Sequence, residues 1–491
     1  MIKLNGKGLT INKASKIILS KETVRLSEAC LKQVEAAYQS VKQAIEDGKQ
    51  IYGVSTGFGK LSDVLIPYEQ QKQLQENLLK SHTVGVGEPL PDEASRATLL
   101  FRLNSLLKGY SGIRKQVVHC LAELLNHNVC PLIPAKGSVG ASGDLAPLAH
   151  MALILIGEGE AKLDGEVLSG RAVLQRLGLE PLELEPKEGL ALINGTQVSL
   201  GVGFVAFIRA RKLLEWAEVL SALTLEAYGG KLDPFNEWLQ RVRPHPGQIA
   251  VATRIRELLQ ESKLINRNED TQDPYSLRCV PAILGASLDA LEFVTETIEI
   301  EMNSATDNPL VFPETGEIIS GGNFHGQPLA LAFELLAQAT AEIGSLAERQ
   351  IAQLLSAPGL PEVLVEEPGL NSGLMLSQYT AAALVSENKV LAHPGAVDSI
   401  PTSGLKEDHN SLCSISANKA LQIVENVEHI LSFELLTVAQ ALDFRDTRKM
   451  APATKKVYER FRNEVPHLGE DRILTGEIQR ARELITAGVI S

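Results

Sequence analysis

The residues with the clearest chemical potential form one short run, Gly137-Ser138-Val139-Gly140-Ala141-Ser142-Gly143-Asp144. Gly137, Gly140 and Gly143 recur at every third position and permit a left-handed or sharply bent backbone. In a bend that tight, the Gly143 nitrogen can attack the Ala141 carbonyl. Two dehydrations then give a five-membered electrophilic ring, which no ordinary side chain can supply. Asp144 can cap a helix, Pro147 suits a first helical turn, and an apolar run follows. The electrophile would then sit at the positive end of a helix dipole, which draws electron density from it. Ala-Ser-Gly alone is a common tripeptide that also suits a plain turn before a helix. The glycine spacing and the helix start favour chemistry.

Further polar groups lie in connectors, where a rigid scaffold usually carries its catalytic residues. Tyr52 opens a glycine-rich loop. Within it, Gly53-Val54-Ser55-Thr56-Gly57 matches the pattern of a hydrolase nucleophile elbow. That elbow needs a strand-turn-helix setting, and the surroundings here read as helical, so a mobile lid carrying Tyr52 fits better. His82 stands between a helix end and Gly85-Val86-Gly87. A lone histidine is more often structural, but this one is placed to be partly exposed and to hydrogen-bond a ligand. Ile193-Asn194-Gly195-Thr196-Gln197 reads as a turn and cap, with an Asn194 amide able to hold an oxyanion or an amine. In Gln272-Asp273-Pro274-Tyr275-Ser276-Leu277-Arg278, Tyr275 and Arg278 share a face if a helix starts after Pro274. Arg278 could bind a carboxylate in bidentate fashion or simply form a surface salt bridge. Glu407-Asp408-His409 is either a solvated turn or a carboxylate reaching a cleft, where it could act as a base or bind an imidazole.

These loops need long elements to hold them. The chain has 491 residues, 44% of them hydrophobic and 22% charged, enough for two or three packed regions. Weak alternation over Leu9 to Leu19 suggests short strands. Helical spacing is predicted through Val34, Ala37, Val41 and Ile45, and again from about Tyr68 to Lys80. The stretch from Ala161 to Leu190 suggests short strands and turns. Long helices are then expected from near Leu200 to Ala227, through Leu284 to Ile298, from Leu329 to Leu354, and from about Ala417 to Phe444. The expected fold is mainly α: a central bundle of long, nearly antiparallel helices with a smaller mixed N-terminal region. Residues 1–195 would carry the lid loop and the ring motif, and residues 196–491 the bundle and C-terminal helices. Several helices are apolar over more than one stripe, which suggests an oligomer.

A net charge of −13 argues against nucleic acid as a partner. No continuous apolar run reaches membrane-spanning length, and the N-terminus lacks the apolar core of a signal peptide. The five cysteines show no paired or zinc-binding spacing and suit a reducing cytoplasm. No metal site is expected.

Taken in order, these strings resemble the histidine ammonia-lyase family of aromatic amino acid lyases over nearly the whole chain. The others that carry the likeness are Asp307-Asn308-Pro309, Asn323-Phe324-His325-Gly326 and Gly369-Leu370-Asn371-Ser372-Gly373. The resemblance implies that Ala141, Ser142 and Gly143 cyclise to 4-methylideneimidazol-5-one, so that no external cofactor is needed. It implies a small amino acid substrate and a homotetramer whose active sites draw on several subunits. Tyr52 and Tyr275 would be the acid and base, with Tyr275 favoured for the β-proton. Arg278 would pair with the substrate carboxylate, Asn194 and Gln272 would support the ring and substrate, and Phe324 would shape the pocket. His82 and Glu407 match the pair that contacts imidazole in the histidine-specific branch, so L-histidine and urocanate are the expected substrate and product. A lyase or 2,3-aminomutase acting on tyrosine or phenylalanine is the alternative. One departure stands out. Where histidine lyases usually read Gln-Glu-Asp-His-Val-Ser-Met, this chain has Lys406-Glu407-Asp408-His409-Asn410-Ser411-Leu412. Lys406 could lower the Glu407 pKa, fill part of the pocket, or point away.

Overall fold

A computed structural model describes residues 1–489. The fold is mainly helical, with 18 α-helices among the described residues and only short strands between them. The chain forms two compact units. The first comprises Met1–Val205, Thr295–Glu334 and Pro394–Asn418; the second comprises Ala206–Val294, Leu335–His393 and Lys419–Ser491. The division expected at residue 195 falls inside the first unit, which also takes back two later segments. Four of the five limits fall within long helices, Gln197–Tyr228, Val280–Glu301, Gln327–Leu354 and Cys413–Asp443, and the fifth, between His393 and Pro394, follows the helix Met375–Leu391. The four long helices occupy the stretches where helical spacing predicts them.

The first unit holds the named strands. Ile2–Leu4 pairs in parallel with Val24–Leu26, and Val86–Pro89 pairs antiparallel with Pro134–Lys136. Cys130–Pro131, Glu160–Leu163 and Glu166–Ser169 form a three-stranded sheet. The segment Leu9 to Leu19, expected as strands, is instead the helix Ile11–Ile18. Ala14, Ile17 and Ile18 bury one helical face, and Thr10 accepts the Lys13 N–H as an N-cap. That i, i+3, i+4 burial outweighs the weak alternation. At the heart of this unit, Asp92–Leu106 is buried along its length from Ala94 to Leu106. It carries two arginines inward. Arg96 is satisfied by the carbonyls of Ile17, Ile18 and Leu125, and Arg102 reaches the site described below.

In the second unit, carboxylates tie elements together. Glu226 accepts from Ser262, Thr454 and the Ala451 N–H. Asp443 accepts from Tyr458, Arg462 and His467. Among the described residues, one helix, Gln327–Leu354, is long and apolar enough to cross a membrane. Two-thirds of its apolar window is buried inside the protein, as expected of a core helix.

Candidate active site

The Gly137–Asp144 loop is held from two sides within the first unit. On one side is the turn between the helices Glu188–Ile193 and Gln197–Tyr228. There, Gly143 bridges to Gly195 and the Asp144 N–H donates to the Gly195 carbonyl at 2.7 Å. The Asn194 side-chain Nδ2 lies 2.9 Å from both the carbonyl oxygen and the Oγ of Ser142. On the other side is Ser411–Ser414. The Leu412 N–H donates to the Val139 carbonyl at 2.9 Å, the Ser411 hydroxyl to the Gly140 carbonyl at 3.0 Å, and the Ser414 hydroxyl to the Ser138 carbonyl at 2.7 Å.

Asp144 does stand at the N-cap of the helix Leu145–Leu153, but its carboxylate makes no capping bond there. It accepts instead from the N–H and hydroxyl of Ser199, both at 2.7 Å. The carboxylate thus serves the start of a different helix, and only the tertiary fold selects that partner. Burial pushes its pKa up, against the hydrogen bonds that favour the charged form.

The loop is sharply bent at two of its glycines. Gly143 has φ +73°, and a Cβ there would lie 2.3 Å from the Gly195 carbonyl oxygen, so only glycine brings its nitrogen into this bend. Gly140, at φ +66°, is equally enclosed by Ser411 and Cys413. The Asn194 Oδ1 is buried with no hydrogen-bond partner among the described residues, leaving an acceptor beside Ser142. These residues fit the ring that the sequence suggests.

Ser142 and Asn194 face a cavity of about 590 Å³, which Tyr52, His82 and Glu407 also line. Five of the expected site residues therefore meet in one space, of a size typical for small-molecule pockets. Phe58, Ile66, Leu74 and Leu190 supply apolar wall. The Tyr52 phenol oxygen accepts the Gly59 N–H at 3.0 Å. Burial raises the Tyr52 pKa, the Gly59 bond opposes the rise, and the Glu407 charge adds to it. Tyr52 is thereby kept as a phenol. His82, the last residue of the helix Gln71–His82, is pushed down by burial, with a bond to Leu78 and the Glu407 charge pulling the other way. That shift favours the neutral imidazole. The Glu407 carboxylate accepts the Thr402 hydroxyl at 2.7 Å. Lys406 is exposed and is not among the lining residues.

Besides Ala141 and Gly143, which flank Ser142, four expected residues do not line this cavity. Phe324 is half-buried elsewhere in the first unit. Gln272, Tyr275 and Arg278 belong to the second unit. There, Tyr275–Arg278 is one helical turn after Pro274, and the Arg278 guanidinium sits 4.6 Å from the Tyr275 ring centroid. The shared face is as the spacing requires. Tyr275 is 70% exposed, and Gln272 and Arg278 line a separate cleft of about 360 Å³.

Residues 9–463 match the aromatic amino acid lyase family. The chain belongs to that family. It is 49% identical to the histidine ammonia-lyase of Natranaerobius thermophilus, over 99% of this chain and 97% of that one. It is 47% identical to the histidine ammonia-lyase of Caldanaerobacter subterraneus subsp. tengcongensis, with the same coverage. Among solved structures it is similar to the histidine ammonia-lyase of Trypanosoma cruzi, with TM-score 0.92 and 40% identity over 99% of this chain and 93% of that one. It is also similar to the tyrosine aminomutase of Streptomyces globisporus, with TM-score 0.95 and 38% identity over 99% and 97%. As a member of the aromatic amino acid lyase family, the chain is a carbon–nitrogen lyase, and the family uses the 4-methylideneimidazol-5-one group.

Three residues of this lyase's site were missed in the sequence. Gln75 is fully buried; it accepts the Leu190 N–H and donates to the Gly53 carbonyl, joining the Tyr52 loop to the helix Glu188–Ile193. Ser403 lines the cavity and accepts the Lys60 N–H at 3.2 Å. Arg102 grips the Asn194 turn. Arg102 had only a weak signal, as one of two arginines in a helix rich in apolar residues.

Proposed function

We propose that this lyase converts L-histidine to trans-urocanate and ammonia, without an external cofactor. The observation that carries the reading is that His82 and Glu407 line the same cavity as Ser142 and Asn194. A neutral imidazole and a carboxylate are suited to hydrogen-bond the two nitrogens of an imidazole side chain. The high identity to histidine ammonia-lyases supports the same choice.

Ala141, Ser142 and Gly143 would form the 4-methylideneimidazol-5-one, which would supply an electrophile for the substrate amine and so make that amine a better leaving group. Asn194 holds Ser142 through both oxygens and so sets the orientation of this centre. Tyr52, kept protonated by burial, can give a proton to the departing amine. That leaves the β-proton to Tyr275, whose carbanion-forming step is otherwise uphill. Arg278 binds the substrate carboxylate, Gln272 supports the substrate, and Phe324 shapes the approach to the ring. We infer that these residues act in a homotetramer with shared sites. The 70% exposure of Tyr275 supports this, as do the exposed apolar side chains Ile300, Leu376 and Tyr379. An active monomer in light scattering would contradict it. The five free cysteines suit a cytoplasmic location.

A substrate panel tests the reading. The purified chain should generate urocanate absorbance from L-histidine and little product from L-tyrosine or L-phenylalanine. Ser142→Ala should remove nearly all activity and leave the chain at its full sequence mass. The likeness to a tyrosine aminomutase favours one second reading. A β-amino acid, coumarate or cinnamate appearing in place of urocanate would establish it.

A further inference from the structure

Arg102 is fully buried in the middle of Asp92–Leu106, yet its hydrogen-bond acceptors are all uncharged oxygens. Nη1 donates to the Asn194 carbonyl at 3.1 Å and to the Gln197 Oε1 at 2.6 Å, and Nη2 donates to the Ala191 carbonyl. Its Nε has no partner among the described residues. The nearby carboxylate of Asp307 is bonded to Lys187, itself buried, at 2.6 Å. Burial lowers the Arg102 pKa to about 10, which still leaves it cationic at neutral pH. A buried cation without a bonded carboxylate costs stability, and an apolar side chain of similar volume usually packs there more cheaply.

What the guanidinium achieves is geometric. Ala191 lies near the C-terminal end of Glu188–Ile193, where carbonyls lack helical partners, and Gln197 begins the next helix. Asn194 sits between them with an extended backbone, φ −89° and ψ 100°. One planar fork thus fastens the end of one helix, the start of the next, and the residue between. Packing is tight: a Cβ on Gly195 would lie 2.4 Å from Nη1. The Gly195 carbonyl is pinned from the loop side by the Asp144 N–H. With both flanks fixed, the Asn194 side chain can hold two 2.9 Å bonds to Ser142.

We propose that Arg102 is a positioning residue, which sets Asn194 against Ser142 and on which ring formation and turnover both depend. The inference rests on the proposed function above. It concerns this chain's own turn, since Arg102 does not line the cavity and touches no substrate.

The test compares wild type with Arg102→Lys and Arg102→Met by intact mass over time, thermal melting, and steady-state kinetics on L-histidine. Lys keeps the charge but cannot span three acceptors with a rigid fork. The expected result is a folded Arg102→Lys chain that loses its two waters more slowly than wild type. Its matured fraction should show kcat reduced by about a hundredfold at nearly constant KM, as a misplacement of around an ångström remote from the substrate would cause. Arg102→Met should stay at full mass for longest. Arg102→Lys maturing at the wild-type rate with wild-type kcat would overturn the proposal, and so would a change in KM alone. If Arg102→Lys does not fold, Gln197→Met removes one anchor of the fork, and the same mass and kcat measurements decide. Wild type remaining at full sequence mass would instead refute the ring chemistry itself, so the two failures are distinguishable.

Discussion

Around Ser142, the loop carbonyls of Ser138, Val139 and Gly140 are each met by a donor from Ser411–Ser414. Across the cavity, the Gly59–Leu61 turn meets the Ser403–Leu405 turn through the Lys60 N–H and the Ser403 hydroxyl oxygen, at 3.2 Å. The floor is half-buried to buried and is anchored through its backbone carbonyls. The rim is exposed, with Leu61, Leu65 and Leu405 all more than 60% accessible. Ser403, Gly404 and Leu405 are successive left-handed residues, at φ +49°, +61° and +70°. Two of them are not glycine, so this rim stores strain of the kind found at functional sites. The contrast suggests a division of labour. Under the proposed function, the anchored floor would make and hold the electrophile, while the exposed rim, with Tyr52 and Glu407, would select the substrate.

The largest expected effect lies in the floor. Gly143→Ala places a Cβ 2.3 Å from the Gly195 carbonyl oxygen at φ +73°, with about 1–2 kcal/mol from the backbone conformation alone. Melting temperature should fall and the chain should stay at full mass; a mature ring at unchanged melting temperature would break the comparison. In the rim, Glu407→Gln keeps an acceptor for Thr402 but removes the charge. We expect kcat/KM for L-histidine to fall by about 2 kcal/mol, or roughly thirtyfold, with water loss intact by mass. Since the Glu407 charge raises the Tyr52 pKa, removing it should move any alkaline limb due to Tyr52 to lower pH. Slow ring formation in this variant would show that floor and rim are not separable. Ser403→Ala loses only the latch to Lys60, worth about 1 kcal/mol. It should raise KM several-fold and leave maturation unchanged, as steady-state kinetics and mass will show. Smallest of all, Lys406→Gln should leave the substrate panel and pH profile unchanged, because Lys406 is exposed away from the cavity. A shift of substrate preference would mean that the rim closes over that side chain.

Much of the site was legible because the chemistry demands particular residue types. Ring formation would require a glycine at Gly143 and a hydroxyl at Ser142, and the Tyr275–Arg278 spacing fits one helical turn, so these can be read locally. The four long helices were legible from their apolar periodicity. The error at Leu9 to Leu19 came from weighing a faint period of two above a Thr10 cap and one buried helical face. Asp144 was expected to cap its own helix and instead serves Ser199. Such partners lie far apart in the sequence and leave no local pattern.

By itself, the sequence determined the candidate Ala141-Ser142-Gly143 motif, the four long helices and the family, since these depend on residue identity and short-range spacing. The tertiary structure alone decided which groups meet. It brought Tyr52, His82, Asn194 and Glu407 to one cavity with Ser142 and left Lys406 outside. It also turned Arg102 inward onto the Asn194 turn. The physical reason is that burial and long-range hydrogen bonding set both geometry and protonation, and neither property exists until separate segments of the chain have packed together.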